Sequence, residues 1–461
     1  MRIRALLLAI PLLAAPLAAQ SSATDTTRLT LRDAVTRADR IGEEVRIARA
    51  NLDATGAQVA IARAPGLPQL RVNGSENRTV ASARGQAVGQ VFNQPYTYST
   101  ALNASQLVFQ GGRVVNGVRA ARAATAASQQ DLAETRSQVD LQTQAAYVNA
   151  LYTARVVQIQ QQSYDLANAQ LKQAEQFQAA GRFSRYDVLR ARVQVSNIEP
   201  QLLQARTDAQ VALLELKRLT NIPASQPVAL VTSIDSAAIE GALATVDTTV
   251  GAENRPSLRS AELTARARAL GVSVARAALL PTVTFNFNSG YGAFPVNGNI
   301  FPAGRGHLSV GPCASDAART CTTQNGGWFN DQSFGFTVSW PIFDGLATKG
   351  AIDLAGAQAR VAEAQLAQAR ERVGNDVAKA KADLARARAA YGAQRQNVAE
   401  ANEAYSLANL RYSRGLATQL EVSDAQFALV TAETNEARSI YDLYIAVATL
   451  AATQGRPLPL P

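Results

Sequence analysis

Gly181-Arg182-Phe183-Ser184-Arg185-Tyr186-Asp187-Val188 is matched, 234 positions later, by Gly415-Leu416-Ala417-Thr418-Gln419-Leu420-Glu421-Val422. A second pair keeps the same offset: Phe109-Gln110-Gly111-Gly112 and Phe343-Asp344-Gly345-Leu346. The two landmarks therefore stand 70 residues apart in each half of the chain. An interval of that length, repeated without insertion or deletion, marks a rigid element in a doubled unit.

The interval reads as helix. Neither copy contains Pro. In the second copy Leu366, Val373, Val377, Ala380, Leu384, Ala387 and Tyr391 recur at steps of mostly three and four. Their counterparts in the first include Val139, Thr143, Ala146, Ala150 and Val157. This is coiled-coil-like spacing with small residues on the seam. A helix filling the interval is ~100 Å long at 1.5 Å per residue, too long for a compact domain, with Gly392 as its weakest point.

At the far landmark the chain turns. Gly181 and Gly415 suit a helix C′ position. Ser184 and Thr418 suit the next N-cap, each with a carboxylate three residues on, Asp187 and Glu421. Helices of roughly 35 residues come next, 185–220 and 419–453, covering about half the way back. Pro200 inside the first should kink it or raise its local cost. Residues 256–280, with Pro256 at the helix start, and residues 31–64 supply the other half. The stretch 221–253 between them, richer in Pro, Thr, Val and Asp, reads as a small mixed subdomain midway along the body.

Beyond Leu67-Pro68 and beyond Leu280-Pro281 the chain alternates with period two. Val283, Phe285, Phe287 and Tyr291 alternate with polar residues, as do Phe334, Phe336, Val338 and Trp340. Tyr96, Tyr98, Leu102 and Ala104 do the same, and Leu70 and Val72 open a poorer fourth strand. Such runs fit a half-buried soluble hairpin or a membrane barrel wall. The strands join the ends of very long helices, and no helical layer remains to cover their aromatic face, which selects the barrel. Four strands are too few to close one, and open edges are not tolerated in lipid. The chain must pool strands with copies of itself, and twelve strands from a homotrimer are the simplest ring. The second hairpin carries 21 extra residues, and these hold His307, Cys313 and Cys321.

Composition narrows the function classes. The chain has 461 residues with one His, two Cys and 6% aromatics, which leaves no ligand set for a usual zinc or haem site. No constellation of acid, base and nucleophile stands out, so no enzyme, cofactor or metal is expected. The net charge of +9 comes from Arg scattered along the chain, unlike the patch of a nucleic-acid binder. Arg2 and Arg4 ahead of an apolar run from Ala5 to Leu17, with small residues after it, read as a signal peptide over 1–19. Export would let a Cys313–Cys321 disulfide persist in the surface loop. The expected domains are a 20–30 tail, a first repeat over 31–220, an equatorial subdomain over 221–253, a second repeat over 254–455 and a 456–461 tail. The first repeat holds strands at 69–77 and 96–109, a long helix at 113–180 and a tip at 181–187. The second holds strands at 282–291 and 333–343, a long helix at 347–413 and a tip at 414–424.

The two half-repeats, the strand-to-helix junctions at Phe109-Gln110-Gly111-Gly112-Arg113 and Pro341-Ile342-Phe343-Asp344-Gly345, and the tips around Gly181 and Gly415 resemble the TolC family of outer-membrane efflux proteins. The resemblance spans about Leu31 to Pro457. It implies a mostly α chain with a small membrane β part, trimerising into a 12-stranded β-barrel continued by a 12-helix periplasmic α-barrel. It also implies an exit duct that receives substrates from an inner-membrane pump through a periplasmic adaptor. Tyr412, Glu421 and Asp424 match the family's pore-closing tip, and Asp187 matches the acidic position of the first repeat. Ala417 stands where some members carry an Arg for a gate salt bridge, which is then absent or moved to Arg182, Arg185 or Arg414. Three copies of Glu421 and Asp424 would ring a narrow pore with carboxylates, attracting cations; capping alone is the competing reading of Glu421 and Asp187. Gly181, Ser184, Gly415 and Thr418 mark the tips as the adaptor-docking surface. The competing class is a periplasmic coiled-coil scaffold with no pore.

Overall fold

The computed structural model describes residues 26–81, 83, 95–181, 184–234, 241, 243, 251–295, 304–313, 316–324, 327–414 and 416–458. The expected signal peptide lies outside them.

The elements run β1 (Thr27–Leu29), α1 (Leu31–Ile41), α2 (Glu43–Arg63), β2 (Gln69–Arg78), β3 (Tyr96–Gln110), α3 (Arg113–Ala179), α4 (Arg185–Leu219) and β4 (Val228–Leu230). Then come α5 (Pro256–Arg276), β5 (Thr282–Ala293), β6 (Leu308–Cys313), β7 (Asp316–Gln324), β8 (Trp328–Ser339), α6 (Ala347–Ser413) and α7 (Gln419–Thr453). The long helices α3 and α6 are 67 residues each, and α4 and α7 are 35 each. Both ends of each pair recur at the 234 offset. So do the left-handed residues: Gly111 and Gly345, Gly112 and Leu346, Asn221 and Gly455 all have positive φ. Leu346 adopts φ 72° where the first copy uses Gly112 at 76°, a conformation costly for a residue with a Cβ. The repeat is thus kept in backbone shape where the side chains differ.

The helices pack as small-residue seams. On α6 the expected positions Val373, Val377, Ala380, Leu384 and Ala387 are buried, and on α3 so are Val139, Thr143, Ala146 and Ala150. Alanine lets backbones approach closely and costs no side-chain entropy in the helix, so the wall stays thin and long. α6 runs unbroken through Gly392, and α4 runs through Pro200. In the upper half α2 packs on α3, and α5 lies between α3 and α6. In the lower half α4 packs on α3, and α7 lies between α3 and α6. The shorter helices therefore stack end to end, α5 on α7 and the α1–α2 pair on α4.

The stacking points form an equatorial belt. Arg37 on α1 donates to the carbonyls of Thr220 and Asn221 at the end of α4 (2.6 and 3.3 Å). At the other junction Arg255, just before α5, pairs with Asp376 on α6 at 2.7 Å and Glu134 on α3 at 3.4 Å. Arg255 is mostly buried, so it clamps both long helices through one guanidinium. Two sequence expectations change here. The single helix read over 31–64 breaks at Gly42, whose N–H bonds Ala38 O at 2.8 Å. The tail read over 20–30 contributes β1, which pairs in parallel with β4 of the equatorial stretch. Fully buried Tyr147 holds that pair to α3, its hydroxyl donating to Leu29 O (2.9 Å) and accepting from Thr232 N–H (3.1 Å).

At the upper end β2-β3-β5-β8 form one antiparallel sheet. The register puts Leu70, Ala104, Phe287 and Phe334 in one row and Val72 and Leu102 in the next. The rings of Phe285 and Phe336 lie 5.3 Å apart, tilted by 56°. The opposite face is polar: Asn288 donates to Asn103 (2.6 Å) and Asn286 to Thr337 (3.0 Å). The last strand, read as 333–343, lies at Trp328–Ser339, because Pro341 has no N–H to continue a ladder. Just past its end, Trp340 instead donates its indole N–H to Leu279 O at 3.1 Å. The loop of the second hairpin carries its own hairpin, β6 paired with β7. Cys313 lies on β6 and Cys321 on β7; their side chains, and hence the expected disulfide, lie outside what is described.

Candidate functional site

The lower end of the body is two adjacent turns. In the first, α3 closes on Gly181 at φ +73°, whose N–H bonds Gln178 O at 2.9 Å. Ser184 then opens α4 with a complete capping box. Its N–H and hydroxyl both donate to Asp187 Oδ2 (3.0 and 2.7 Å), and Asp187 N–H donates back to Ser184 Oγ (3.3 Å). In the second turn Thr418 and Glu421 build the same box with longer bonds. Thr418 N–H and hydroxyl donate to Glu421 Oε1 (3.2 and 3.4 Å), and Glu421 N–H returns to Thr418 Oγ1 (3.4 Å). Gly415 lies outside the described residues, as does Arg182.

The second turn carries an added ion pair. Arg411, in the last turn of α6, meets Glu421 Oε2 at 3.5 Å and donates to Leu416 O at 3.4 Å. Sequence reasoning missed Arg411 and looked to Arg182, Arg185 or Arg414 for the displaced basic partner. The signal was available in the preference of cations for helix C-termini, ten residues ahead of the acid. Glu reaches one methylene further than Asp, so one carboxylate serves both the cap and the guanidinium.

Tyr412, next to Arg411, lies within electrostatic reach of the first turn. Burial pushes its phenol pKa up, and the nearby negative charge of Asp187 adds to the rise. A last-turn residue of the second repeat thus sits beside the cap of the first. Asp424 lies apart from these contacts. It lines a groove of about 560 Å³ between α4 and α7 with Arg190, Gln194 and Phe427. Beside it runs a polar seam that the sequence reading did not find. Ser423 donates to Gln194 (2.5 Å), and buried Gln426 donates to the carbonyl and hydroxyl of Ser163 (both 3.3 Å). Gln170 donates to Gln426 at 3.4 Å. By contrast, the α3–α4 seam at this end is apolar, built from Leu171, Ala174, Val188 and Ala191. The four sequence-picked residues split accordingly: Asp187, Tyr412 and Glu421 gather at the turns, and Asp424 faces the groove.

Among the described residues there is no cluster of His, Cys, Asp or Glu able to hold a metal ion. No described helix is long and apolar enough to cross a membrane.

A doubled strand–helix chain with an aromatic-faced sheet at one end and capped turns at the other defines a class of channel subunit. The family model described as outer membrane efflux protein matches residues 43–221 and 251–456, and the chain belongs to that family. It is 24% identical over 440 residues to the outer membrane efflux protein BepC of Brucella suis, covering 93% of this chain and 85% of that protein. Nodulation protein T of Rhizobium leguminosarum is 26% identical over 412 residues, covering 87% and 79%. In fold the chain is similar to the Campylobacter jejuni CmeC outer membrane channel, with TM-score 0.75, 16% identity and coverage of 93% and 86%. It is also similar to VceC of Vibrio cholerae, with TM-score 0.73, 19% identity and coverage of 92% and 96%. The chain is an outer-membrane efflux channel protein with a long helical extension into the periplasm, and the scaffold reading falls away.

Proposed function

We propose that three copies of this chain form the exit duct of a tripartite efflux or secretion system, fed by an inner-membrane pump through a periplasmic adaptor. The observation that carries the reading is the open sheet. Among the described strands, β2 has one unpaired edge and β8 another that is bridged only at Trp328, by Arg305, and lipid tolerates no open edge. Pairing β8 of one chain with β2 of the next closes a ring of twelve strands after three copies. The same rotation continues the helical wall below it. Purified in detergent, the protein should run as a trimer and open ion-conducting pores in a planar bilayer. A stable monomer with no conductance would end the proposal.

The turns are the gate. Tyr412 of the second repeat feels the charge of Asp187 in the first, and Arg411 with Glu421 stiffens the second turn. Three copies of Glu421 and Asp424 give the entrance its negative charge. The rims around Gly181, Ser184, Gly415 and Thr418 are the adaptor-docking surface. A photo-crosslinker at position 184 or 418 should capture the adaptor in cells; no adduct at either position would remove that assignment.

A further inference from the structure

We propose that the collar where strands become helices binds anionic phospholipid headgroups of the periplasmic leaflet, through Arg63, Arg113, Arg276 and Lys349. The inference rests on the sheet lying in the outer membrane. The four crossings from sheet to helix pack side by side at one level. A Cβ added to Gly66 would come within 2.9 Å of Val114, and one added to Gly111 within 2.9 Å of Ala277 O. Gln106 donates to Gly66 O at 3.0 Å, and Trp340 to Leu279 O at 3.1 Å. At this level Phe109, Leu280, Trp340, Ile342 and Phe343 are all exposed.

Immediately below this apolar band comes a basic one. Arg63 is the last residue of α2 and Arg276 the last of α5. Arg113 is the first residue of α3, and Lys349 lies in the first turn of α6. All four are exposed, and among the described residues none has an ion-pair partner. Asp344, a carboxylate at the same level, is engaged by the N–H and hydroxyl of Thr348 (2.8 and 2.5 Å). Asp353 lies one turn below Lys349 without pairing to it. On α3 the basic run continues through Arg119 and Arg122, and the first carboxylate is Asp131, ~27 Å down the helix.

The helix dipole accounts for only half of the pattern. It favours cations at the C-terminal ends of α2 and α5 but disfavours them at the N-terminal ends of α3 and α6. Neither α3 nor α6 has an acidic residue in its first turn. What the four share is their height, one helical turn or so beneath an apolar girdle. That is the depth at which phosphodiester groups lie in a bilayer, and basic residues there attract anionic lipid.

The test uses the full-length protein in nanodiscs of equal parts phosphatidylglycerol and phosphatidylcholine, with retained lipid counted by native mass spectrometry after release. The wild type should hold phosphatidylglycerol over phosphatidylcholine at least fivefold. R63Q/R113Q/R276Q/K349Q should bring the ratio near one. R155Q/K172Q/R388Q/R395Q, which removes as much charge lower in the body, should leave it unchanged. If the quadruple collar variant does not fold, R63Q/R276Q and R113Q/K349Q should each reduce the ratio about twofold. Equal retention of the two lipids by the wild type would overturn the proposal. So would an unchanged ratio in the collar variants with altered pore selectivity, which would place the four side chains in the channel. Conductance of the same preparations is read separately, so a silent pore counts against the channel reading while the lipid ratio still decides the collar.

Discussion

The two turns open their helices with the same capping box and differ in what their carboxylates do. Asp187 is held in its own cap by bonds of 2.7 and 3.0 Å, and its remaining influence falls on Tyr412. Glu421 makes a looser cap and divides itself between Thr418 and Arg411. Similar contrasts recur along the repeat. Tyr147 anchors the equatorial strands to α3, whereas its counterpart 234 positions on is Lys381. Asp140 on α3 lies close to a second carboxylate, Asp39, whereas its counterpart is Gly374. On the proposed gate, the expectation is that the second turn moves and the first holds, with α6 and α7 shifting against α3 and α4.

The largest expected effect lies at the entrance. Glu421→Ala with Asp424→Ala should weaken cation preference and raise the concentration of a trivalent cation needed for block by roughly tenfold. Asp187→Ala should do much less to either. Planar-bilayer recordings of the wild type and the two variants decide the point. Equal effects from the two turns, or unchanged selectivity in the double variant, would end the assignment of the gate charge to the second turn.

Next is the anchoring of the first repeat. Tyr147→Phe leaves the N–H of Thr232 without its partner and takes from Leu29 O one of its two donors, the other being Val231 N–H, at a cost of about 1–3 kcal/mol. The melting temperature of the trimer should fall by several degrees, while Lys381→Met in the second repeat should change it little. A Tyr147→Phe protein as stable as the wild type would show that the equatorial strands do not depend on this tie.

The pH response should separate the repeats as well. Burial raises the pKa of Asp140 to about 6, Asp39 adds to the rise, and Arg136, paired with Asp39 at 3.0 Å, opposes it. A raised carboxylate pKa means that the protonated form suits the fold. Its contribution is present in full below the unfolded value near 4 and is lost as pH rises through about 6. Asp140→Asn should therefore stabilise the protein at pH 8 by ~1 kcal/mol after solvent screening, and have little effect near pH 4. A stabilisation equal at both pH values would sink the assignment.

The smallest effect expected is that of Arg411→Ala. An exposed ion pair contributes ~0–1 kcal/mol, so stability should hardly move while the closed-state leak current rises. If stability falls by much more, Arg411 is structural and its contact with Glu421 is not a latch.

The helices, the strand pairs and the turns were legible because each obeys local rules: period, capping residues and left-handed glycines. Leu346 escaped those rules, since leucine has no preference for the left-handed conformation it adopts. The break at Gly42 was hidden because the apolar pattern on either side reads as continuous. The pairing of β1 with β4 joins residues about 200 apart, and three-residue strands leave too little pattern to announce it. At the tip, the capping pattern pointed to Asp187 and Glu421, and the family resemblance added Tyr412 and Asp424. The polar seam around Gln426 could not be read, because nothing in a glutamine reveals which helix it will face.

The equal counts in α3 and α6, and in α4 and α7, have a consequence for how such a chain can change length. One residue added to a single long helix would lower its turn by ~1.5 Å and swing it by ~100°, parting Tyr412 from Asp187. The hairpins, in contrast, already differ by 21 residues with no change below them. Length is therefore free above the collar and quantised beneath it, where any insertion must be made twice, once in each half.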